Sequence, residues 1–310
     1  FRSNGRLACN VAVFAPGYIE FPVAHEAAYD QHHRPIKLCK VRIVPDSGIA
    51  ERGWCQTLIP ESGVVEFHGT TGAGAPIAGR IWIDRFADLI HVEVDCREPI
   101  GVIRIHWRDH QRPALRRPTI YAGRELHGNE YLADQPLLPD VELPSDHGLW
   151  WYHHNTVSPF RDNLQAQHLA EAAAELQTPD PLLDRIAGAV LWADGADSRY
   201  HCNTLLSRGP RHHIRLLAHV AQPRDPDTWL HELERERSQV EGHDLGARFA
   251  AHATWWRDTI ARHQLRVSGP PEAEQITRAY HYQRYLLLAA GYGVFPIRFN
   301  GSLFTPDPHI

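Results

Sequence analysis

The residues with the clearest chemical potential lie near the end of the sequence, in the segment Phe-Pro-Ile-Arg-Phe-Asn-Gly at 295–301. Gly291 and Gly293 precede this segment, and both suit the left-handed backbone positions that end helices. We expect a rigid loop whose apolar residues are buried, so that Arg298 and Asn300 face the other side. A guanidinium and a carboxamide held two residues apart in this way are typical of a recognition site.

A long helix is predicted directly before this loop. Its apolar residues recur at helical spacing and form one stripe, which consists of Ile276, Ala279, Tyr280, Leu286, Leu287 and Ala290. Gln283 lies on this stripe where a Leu would be expected. Gln283 and its neighbour Arg284 are therefore candidates for lining a cavity, although a hydrogen bond to a neighbouring helix end would explain them equally well.

A second cluster, Trp-Trp-Tyr-His-His-Asn at 150–155, combines aromatic rings with hydrogen-bonding groups. Rings that stack on the C–H faces of a sugar, beside His and Asn groups that bind its hydroxyls, are what a carbohydrate subsite uses. We take Trp151, Tyr152, His154 and Asn155 as candidate binding residues. The alternative is that the rings belong to a core between domains and the polar groups satisfy each other.

The sequence shows no clear motif for a metal site, a catalytic nucleophile or a phosphate loop. The chain has 22 histidines, but neither H-E-x-x-H nor a closed Cys/His spacing occurs, so we expect no metal site and no cofactor. Histidines on predicted strands are interpreted as solvated faces; they are His91, His106, His213 and His219. Nucleophile motifs such as G-x-S-x-G are absent. The glycine-rich segment 69–74 lacks the Lys-Ser/Thr of a phosphate loop and is interpreted as a β-turn.

The elements that position these residues change type along the chain. Alternating apolar and polar residues over 90–96, 103–108 and 213–220 predict antiparallel strands. A turn at 97–101 predicts that the first two strands form a hairpin. In the second of these strands, Ile103 and Ile105 alternate with Arg104 and His106. We predict that residues 1–225 form an antiparallel β-sandwich.

Helical patterns follow the strands. Asp225 to Gln239 and Asp244 to His263 each show an apolar stripe beneath polar residues, and Gly269-Pro270-Pro271 breaks the chain before the last helix. We predict a mainly β chain with C-terminal helices, in which 226–270 is a helical linker and 271–310 begins a further helical domain.

About the second half of the chain resembles a known family. The helix RAYHYQRYLLLAAGYG and the loop FPIRFNGSLFT resemble the first helix and loop of the (α/α)6 toroid in glycoside hydrolases of family 95, the inverting α-1,2-fucosidase type. The loop is still more similar to an uncharacterised glycosidase-like branch that has Y-P-I-K-F-N-G-S-x-F-T. The segment WYHHNTVSPFRDNLQAQHLAE at 151–171 resembles the same branch.

This resemblance implies a glycosidase in which a super-β-sandwich precedes the toroid. The family's catalytic acid and base come from later in the toroid, so we expect a fragment that holds neither carboxylate and is inactive alone. In the family, two carboxamides orient the base and its water. Asn300 matches the second of these positions, whereas Arg298 occupies the first, where the family has Asn.

Because Arg298 stands where the family has Asn, several functions are compatible with the sequence. A cation at this position would lower the pKa of a catalytic base or bind an anionic sugar group, which puts fucosidase activity in doubt. Alternatives are a glycan-binding protein without catalysis and a polysaccharide lyase, for which a cationic residue suits uronate neutralisation.

Composition limits the partners. The chain has 310 residues, a net charge of −5 and 43% hydrophobic residues, so it can bury a core and carries no general basic field. This argues against nucleic acid or an anionic membrane as a partner. The resemblance, in contrast, implies a carbohydrate partner and a secreted or periplasmic bacterial protein. Its five cysteines show no C-x-x-C spacing, which leaves room for one or two disulfides if the protein is exported.

Overall fold

The computed structural model describes residues 2–31, 35–106, 119–121, 124–126, 138–199, 203–223 and 225–291. The first of its two large antiparallel sheets consists of β1 (Arg2–Ser3), β2 (Leu7–Cys9), β3 (Ala12–Phe14), β4 (Tyr18–Tyr29), β5 (Pro35–Pro45), β10 (Ile100–Ile105), β16 (Asp197–Arg199) and β17 (Thr204–Ser207). Its strand order is β1-β2-β4-β5-β10-β17-β16, and β3 pairs with β4.

The second large sheet also has eight described strands: β6 (Cys55–Ile59), β7 (Val64–Thr70), β8 (Pro76–Ile83), β9 (Leu89–Cys96), β13 (Val141–Leu143), β14 (Leu149–His154), β15 (Ile186–Ala193) and β18 (Arg211–Ala221). Its order is β13-β14-β15-β18-β9-β8-β7-β6. A separate pair joins β11 (Thr119–Tyr121) and β12 (Arg124–Leu126).

The two large sheets share one apolar core, to which every second residue of their strands contributes. Large side chains buried in this core include Phe21, Ile19 and Ile43 from the first sheet and Phe67 and Trp151 from the second. The predicted fold class, an antiparallel β-sandwich followed by helices, is confirmed. The toroid is not seen in the described residues.

The predicted hairpin around 97–101 is wrong. β9 pairs with β8 and β18 in the second sheet, whereas β10 pairs with β5 and β17 in the first. The 97–101 turn therefore carries the chain from one sheet to the other. Alternation identifies strands, but it does not identify their partners.

The isoleucines that alternate with polar residues in β10 are not its most buried residues. Its inward residues are Ile100, Val102 and Arg104, while Ile103 and Ile105 are only half-buried. The Arg104 guanidinium lies 4.3 Å from the ring centre of Trp151, and its Nη1 donates to a Glu142 oxygen 2.5 Å away. A buried arginine is tolerated here because a carboxylate and an aromatic face replace its water.

Five α-helices are described: α1 (Phe160–Ala166), α2 (Ala170–Glu175), α3 (Pro226–Glu241), α4 (Leu245–Ala261) and α5 (Pro271–Gly291). The short α1 and α2 were not predicted. The starts of α3 and α4 match the prediction because Asp225 and Asp244 cap them, accepting hydrogen bonds from the amides of Thr228 and Ala247. Strands end at 221 and the long helices begin at 226, while the division into three domains stays a prediction.

Helix α3 packs on the outer face of the second sheet. Its buried Trp229 and Leu233 lie against an apolar patch that includes Val190 and Leu217. Gly188 makes this close approach feasible, since a Cβ there would lie 2.7 Å from the Trp229 ring. The outer face of this sheet is therefore not a solvated face.

Helix α5 has apolar residues on both sides. Tyr285 and Ala289 pack against the buried Trp256 of α4, with the Tyr285 and Trp256 ring centres 5.0 Å apart. The predicted apolar stripe lies on the other side, and its Leu286 and Leu287 are exposed. The stripe thus exists, but it is not the face that packs against α4.

Two further features concern the described residues only. No disulfide joins the four cysteines among them, Cys9, Cys39, Cys55 and Cys96. No helix in this part of the chain is long and apolar enough to cross a membrane.

Candidate functional site

A polar cleft lies where α3 and α4 meet, above the outer face of the second sheet. It consists of two adjoining cavities with volumes of about 540 Å³ and about 380 Å³. Val240, His243 and Arg248 line both cavities and so form the partition between them. Both volumes fall within the range of ordinary small-molecule pockets, about 300–1,000 Å³.

The sandwich side of the larger cavity presents Asp88. Its carboxylate lies 3.2 Å from Nε of Arg6 and 3.3 Å from Nε2 of His25, and it accepts a hydrogen bond from the Asn4 amide at 3.0 Å. Burial alone would raise the pKa of Asp88, but His25, Arg6 and Asn4 together hold it below its usual value. Asp88 is thus a fixed, ionised acceptor at neutral pH.

On its other side, the larger cavity presents an imidazole of β18 between two carboxylates of α3. Nε2 of His219 lies 3.3 Å from Glu232, and its Nδ1 lies 3.3 Å from Glu236. Burial would lower the pKa of His219, but Glu236 and Glu232 outweigh it and raise the pKa. A raised pKa favours the imidazolium, which balances part of the charge of the two glutamates.

The smaller cavity contains a row of four side chains. Nδ1 of His91 and Nε2 of His213 form a hydrogen bond of 3.0 Å. At the ends of the row, Nε2 of His91 lies 3.9 Å from Asp84 and Nδ1 of His213 lies 3.5 Å from Asp194. The His91 ring also stacks on Trp82, with ring centres 3.9 Å apart, which fixes its plane.

Arginines neutralise both ends of this row. Arg248 donates from Nε to the fully buried Asp84 at 2.5 Å, and Arg215 pairs with Asp194. Burial lowers the pKa of His91 to about 4, and it also lowers the pKa of His213. Both imidazoles are therefore neutral near pH 7, between two carboxylates that already have cationic partners.

The cleft thus presents carboxylates that are each paired with an arginine or a histidine, and these contacts fix the positions of the side chains. Gln239 and the half-exposed ring of Phe86 complete the wall of the larger cavity. An arrangement of paired charges, an amide and an apolar ring suits a neutral ligand with many hydroxyl groups, because hydroxyls both donate and accept.

The two aromatic candidates, Trp151 and Tyr152, are both buried. Trp151 lies inside the sandwich, 1% exposed, and donates from Nε1 to the carbonyl of Leu38 at 2.9 Å. Tyr152 lies on the opposite face of β14, beneath α3, with its ring centre 5.4 Å from that of Trp229. Neither ring presents a free face, and a role for them in sugar binding stays a prediction.

The predicted polar neighbours lie elsewhere. Asn155 is fully buried and donates to the carbonyls of Tyr29 and Leu182, so it joins loops of the sandwich. His154 is half-buried, with Nε2 3.7 Å from Asp184. None of these side chains lines the cleft.

The C-terminal candidates are only partly described. On α5, Gln283 is exposed and Arg284 is half-buried. Arg298 and Asn300 lie outside the described residues. The cleft and the predicted loop are thus separate hypotheses about where a ligand binds.

The cleft is not predicted from the sequence, because histidines that alternate with apolar residues on a strand are ordinarily solvated. His91 is buried, and His213 and His219 are half-buried, since α3 and α4 cover their face of the sheet. A usable signal was present. Two capped helices with apolar stripes follow β18 directly, and such stripes need a sheet face to cover.

The described residues contain no group of three or more His, Cys, Asp or Glu side chains placed to hold a metal ion.

The fold and the cleft define a two-sheet sandwich protein whose outer sheet face is covered by a helical bridge. The chain belongs to the family described as "Domain of unknown function (DUF5703)", whose N-terminal model matches residues 3–262. No curated protein matches the chain. A solved structure described as "Putative kojibiose phosphorylase from human microbiome" aligns with a TM-score of 0.45 and 8% identity, covering 92% of this chain and 34% of that one. The chain thus spans about a third of the length of that protein.

Proposed function

We propose that this chain is the sandwich-and-bridge part of a carbohydrate-active enzyme, and that its polar cleft binds a neutral saccharide. The proposal rests chiefly on the pairing of charges in the cleft. Asp88 has Arg6 and His25 as partners, and Asp84 has Arg248. A ligand of large net charge would have to break these pairs, whereas hydroxyl groups can bind to their remaining donors and acceptors.

The enzymatic part of the proposal is a glycosidase of the fucosidase-like type, acting on an oligosaccharide or polysaccharide. It is supported by the sequence of the 295–301 loop, in which Asn300 would orient the base and its water and Arg298 would contact the substrate. The catalytic carboxylates would come from outside this chain. A secreted or periplasmic location is part of the same proposal.

Helix α5 supports a continuation into a helical array. It packs against α4 through Tyr285, yet it exposes Ile276, Leu286 and Leu287 on the other side. A helix that is apolar on both faces is typically buried on both. We propose that the exposed stripe packs against further helices of an (α/α)6 toroid in the whole protein.

Three other functions make different predictions. A glycan-binding protein without catalysis would bind through the same cleft but release no product. A polysaccharide lyase would give an unsaturated product that absorbs in the ultraviolet, whereas hydrolysis gives a new reducing end without absorbance. A phosphorylase would require phosphate.

Saccharide binding by the cleft is tested by titrating neutral oligosaccharides of two to four units into the protein and following the heat of binding. Glu236→Gln removes a charge from the wall of the larger cavity with little change in shape. We expect it to weaken binding about tenfold, since hydrogen bonds to charged groups contribute about 1.5–3 kcal/mol.

Glu234→Gln is the matched control on the same helix, because Glu234 pairs with Arg237 and does not line either cavity. It should leave the affinity unchanged. If no neutral saccharide binds, or if both substitutions act alike, the proposed role of the cleft is wrong.

A further inference from the structure

One large apolar side chain, Phe86, is exposed beside the polar groups of the larger cavity. Phe86 lies in the turn of residues 84–88, between the end of β8 and the start of β9. It is 51% exposed and forms part of the cavity wall. Among the described residues that line this cavity, it is the one with a phenyl ring. A single exposed apolar residue is ordinary, so the significance of Phe86 depends on how it is held and on what lies around it.

The turn that carries Phe86 is fixed on several sides. The buried Asp84 carboxylate accepts hydrogen bonds from the Phe86 amide at 2.7 Å and from Nε of Arg248 at 2.5 Å. The carboxamide nitrogen of the buried Asn4 contacts Asp88 and two carbonyl oxygens of the turn at 2.9–3.2 Å. The guanidinium of Arg248 also lies 5.2 Å from the ring centre of Phe86. The ring is therefore positioned before any ligand binds, which lowers the entropic cost of binding.

Polar groups that solvent can reach share the cavity with this ring. The sandwich contributes Arg6 and Asp88, whose side chains are 46% and 15% exposed, and α3 contributes the exposed Gln239. The guanidinium of Arg6 has N–H groups beyond the Nε that faces Asp88, and the Gln239 carboxamide both donates and accepts. Hydroxyl groups can therefore replace water at these side chains without breaking the ion pairs of the cleft.

The phenyl ring and these polar groups match the two kinds of surface that a pyranose presents. A pyranose has C–H groups on its faces, which stack on an aromatic ring, and hydroxyl groups around its edge. We propose that Phe86 is the aromatic platform of the larger cavity, on which one face of a neutral pyranose stacks while its hydroxyl groups bind to Arg6 and Gln239. This platform rests on the proposed function and extends it, because it selects the sugar ring and not only its hydroxyl groups.

The platform makes the cavity selective among neutral compounds that carry many hydroxyl groups. Glucitol has the hydroxyl groups of glucose without a ring, so it has no flat C–H face to stack on Phe86. Methyl glucoside has such a face and should compete with a bound disaccharide, whereas glucitol at the same concentration should not. A site that recognised hydroxyl groups alone would bind both compounds alike.

The test combines the heat of binding with the proton NMR spectrum of the ligand, for a panel of neutral disaccharides and trisaccharides of glucose, galactose, mannose and fucose. In the wild type, C–H protons on one face of the bound sugar should shift upfield, because they lie over an aromatic ring. Phe86→Ala should remove this shift and weaken binding about tenfold. Phe86→Tyr retains a ring and should keep the shift, with an affinity within about threefold of the wild type.

Phe14→Ala is the matched control, because Phe14 is 47% exposed and lines neither cavity. It should leave the affinity and the upfield shift unchanged. Binding that Glu236→Gln weakens and Phe86→Ala does not would overturn the platform and leave the proposed function intact. Equally weak binding in Phe86→Ala and Phe86→Tyr would assign the loss to the turn rather than the ring, and it would also overturn the platform. If no saccharide of the panel binds, the platform and the proposed function are both wrong.

Discussion

Individual histidines on one sheet face take opposite protonation preferences because their neighbours differ. His91 is enclosed by Trp82 and His213, and burial lowers its pKa to about 4. His219 lies on the same face between two glutamates, which raise its pKa. The sequence shows both as polar residues on alternating strands, so the distinction comes entirely from what α3 and α4 place over them.

The low pKa of His91 predicts a loss of stability in mild acid. Its folded pKa of about 4 lies below its ordinary value of 6.5. Between these two values the unfolded chain binds a proton at His91 that the folded protein does not, so stability rises with pH in this window and falls on acidification. The contribution is at most about 3–4 kcal/mol at 1.36 kcal/mol per pKa unit.

The measurement is the free energy of unfolding in urea at pH 4.5 and pH 6.5, for the wild type and for His91→Phe. The variant lacks this group and should show a smaller decrease between the two pH values. An equal decrease in both proteins would show that His91 titrates normally in the folded state.

At the scale of elements, features set by local sequence could be predicted, and features set by distant contacts could not. The starts of α3 and α4 follow from Asp225 and Asp244, whose capping bonds span three residues. The sheet assignment of β10 and the inward position of Arg104 depend on partners far along the chain, β5 and Glu142. The cleft was missed for the same reason.

The docking of α3 should depend on one side chain. Trp229 is fully buried against the second sheet, beside Gly188. Trp229→Ala should lower the free energy of unfolding by about 3–5 kcal/mol, the usual loss for a large buried aromatic residue. Because α3 carries Glu236 and His243 of the cleft, saccharide binding should weaken as well.

The exposed His231 on the same helix provides the control. His231→Ala should change stability by less than about 0.5 kcal/mol. Urea unfolding of both variants checks the expectation, and equal stabilities would show that α3 does not depend on Trp229.

At the scale of the whole molecule, the described residues form a sandwich with a helical bridge and one helix that is apolar on two sides. The sandwich class could be predicted because alternation over many short segments is a strong signal. Leu286 and Leu287 on α5 are exposed, and such a patch favours association with other surfaces.

The exposed stripe predicts self-association of this 310-residue chain when it is produced alone. Leu286→Gln combined with Leu287→Gln should shift the sedimentation profile toward monomer and change the unfolding free energy little. Tyr285→Ala, on the packed face, should instead destabilise the protein and leave association unchanged. Association that is insensitive to both leucines would mean that the stripe is not the contact surface.

The most direct test of the account is turnover of glycans by the protein that the complete gene encodes. Neutral oligosaccharides and polysaccharides would be incubated with and without phosphate, following reducing ends and ultraviolet absorbance together. We expect new reducing ends without ultraviolet absorbance and without a need for phosphate. This release should be lost in Asn300→Ala protein that remains folded. The opposite result, a protein that neither binds nor turns over any of these glycans, would show that the proposed function is wrong.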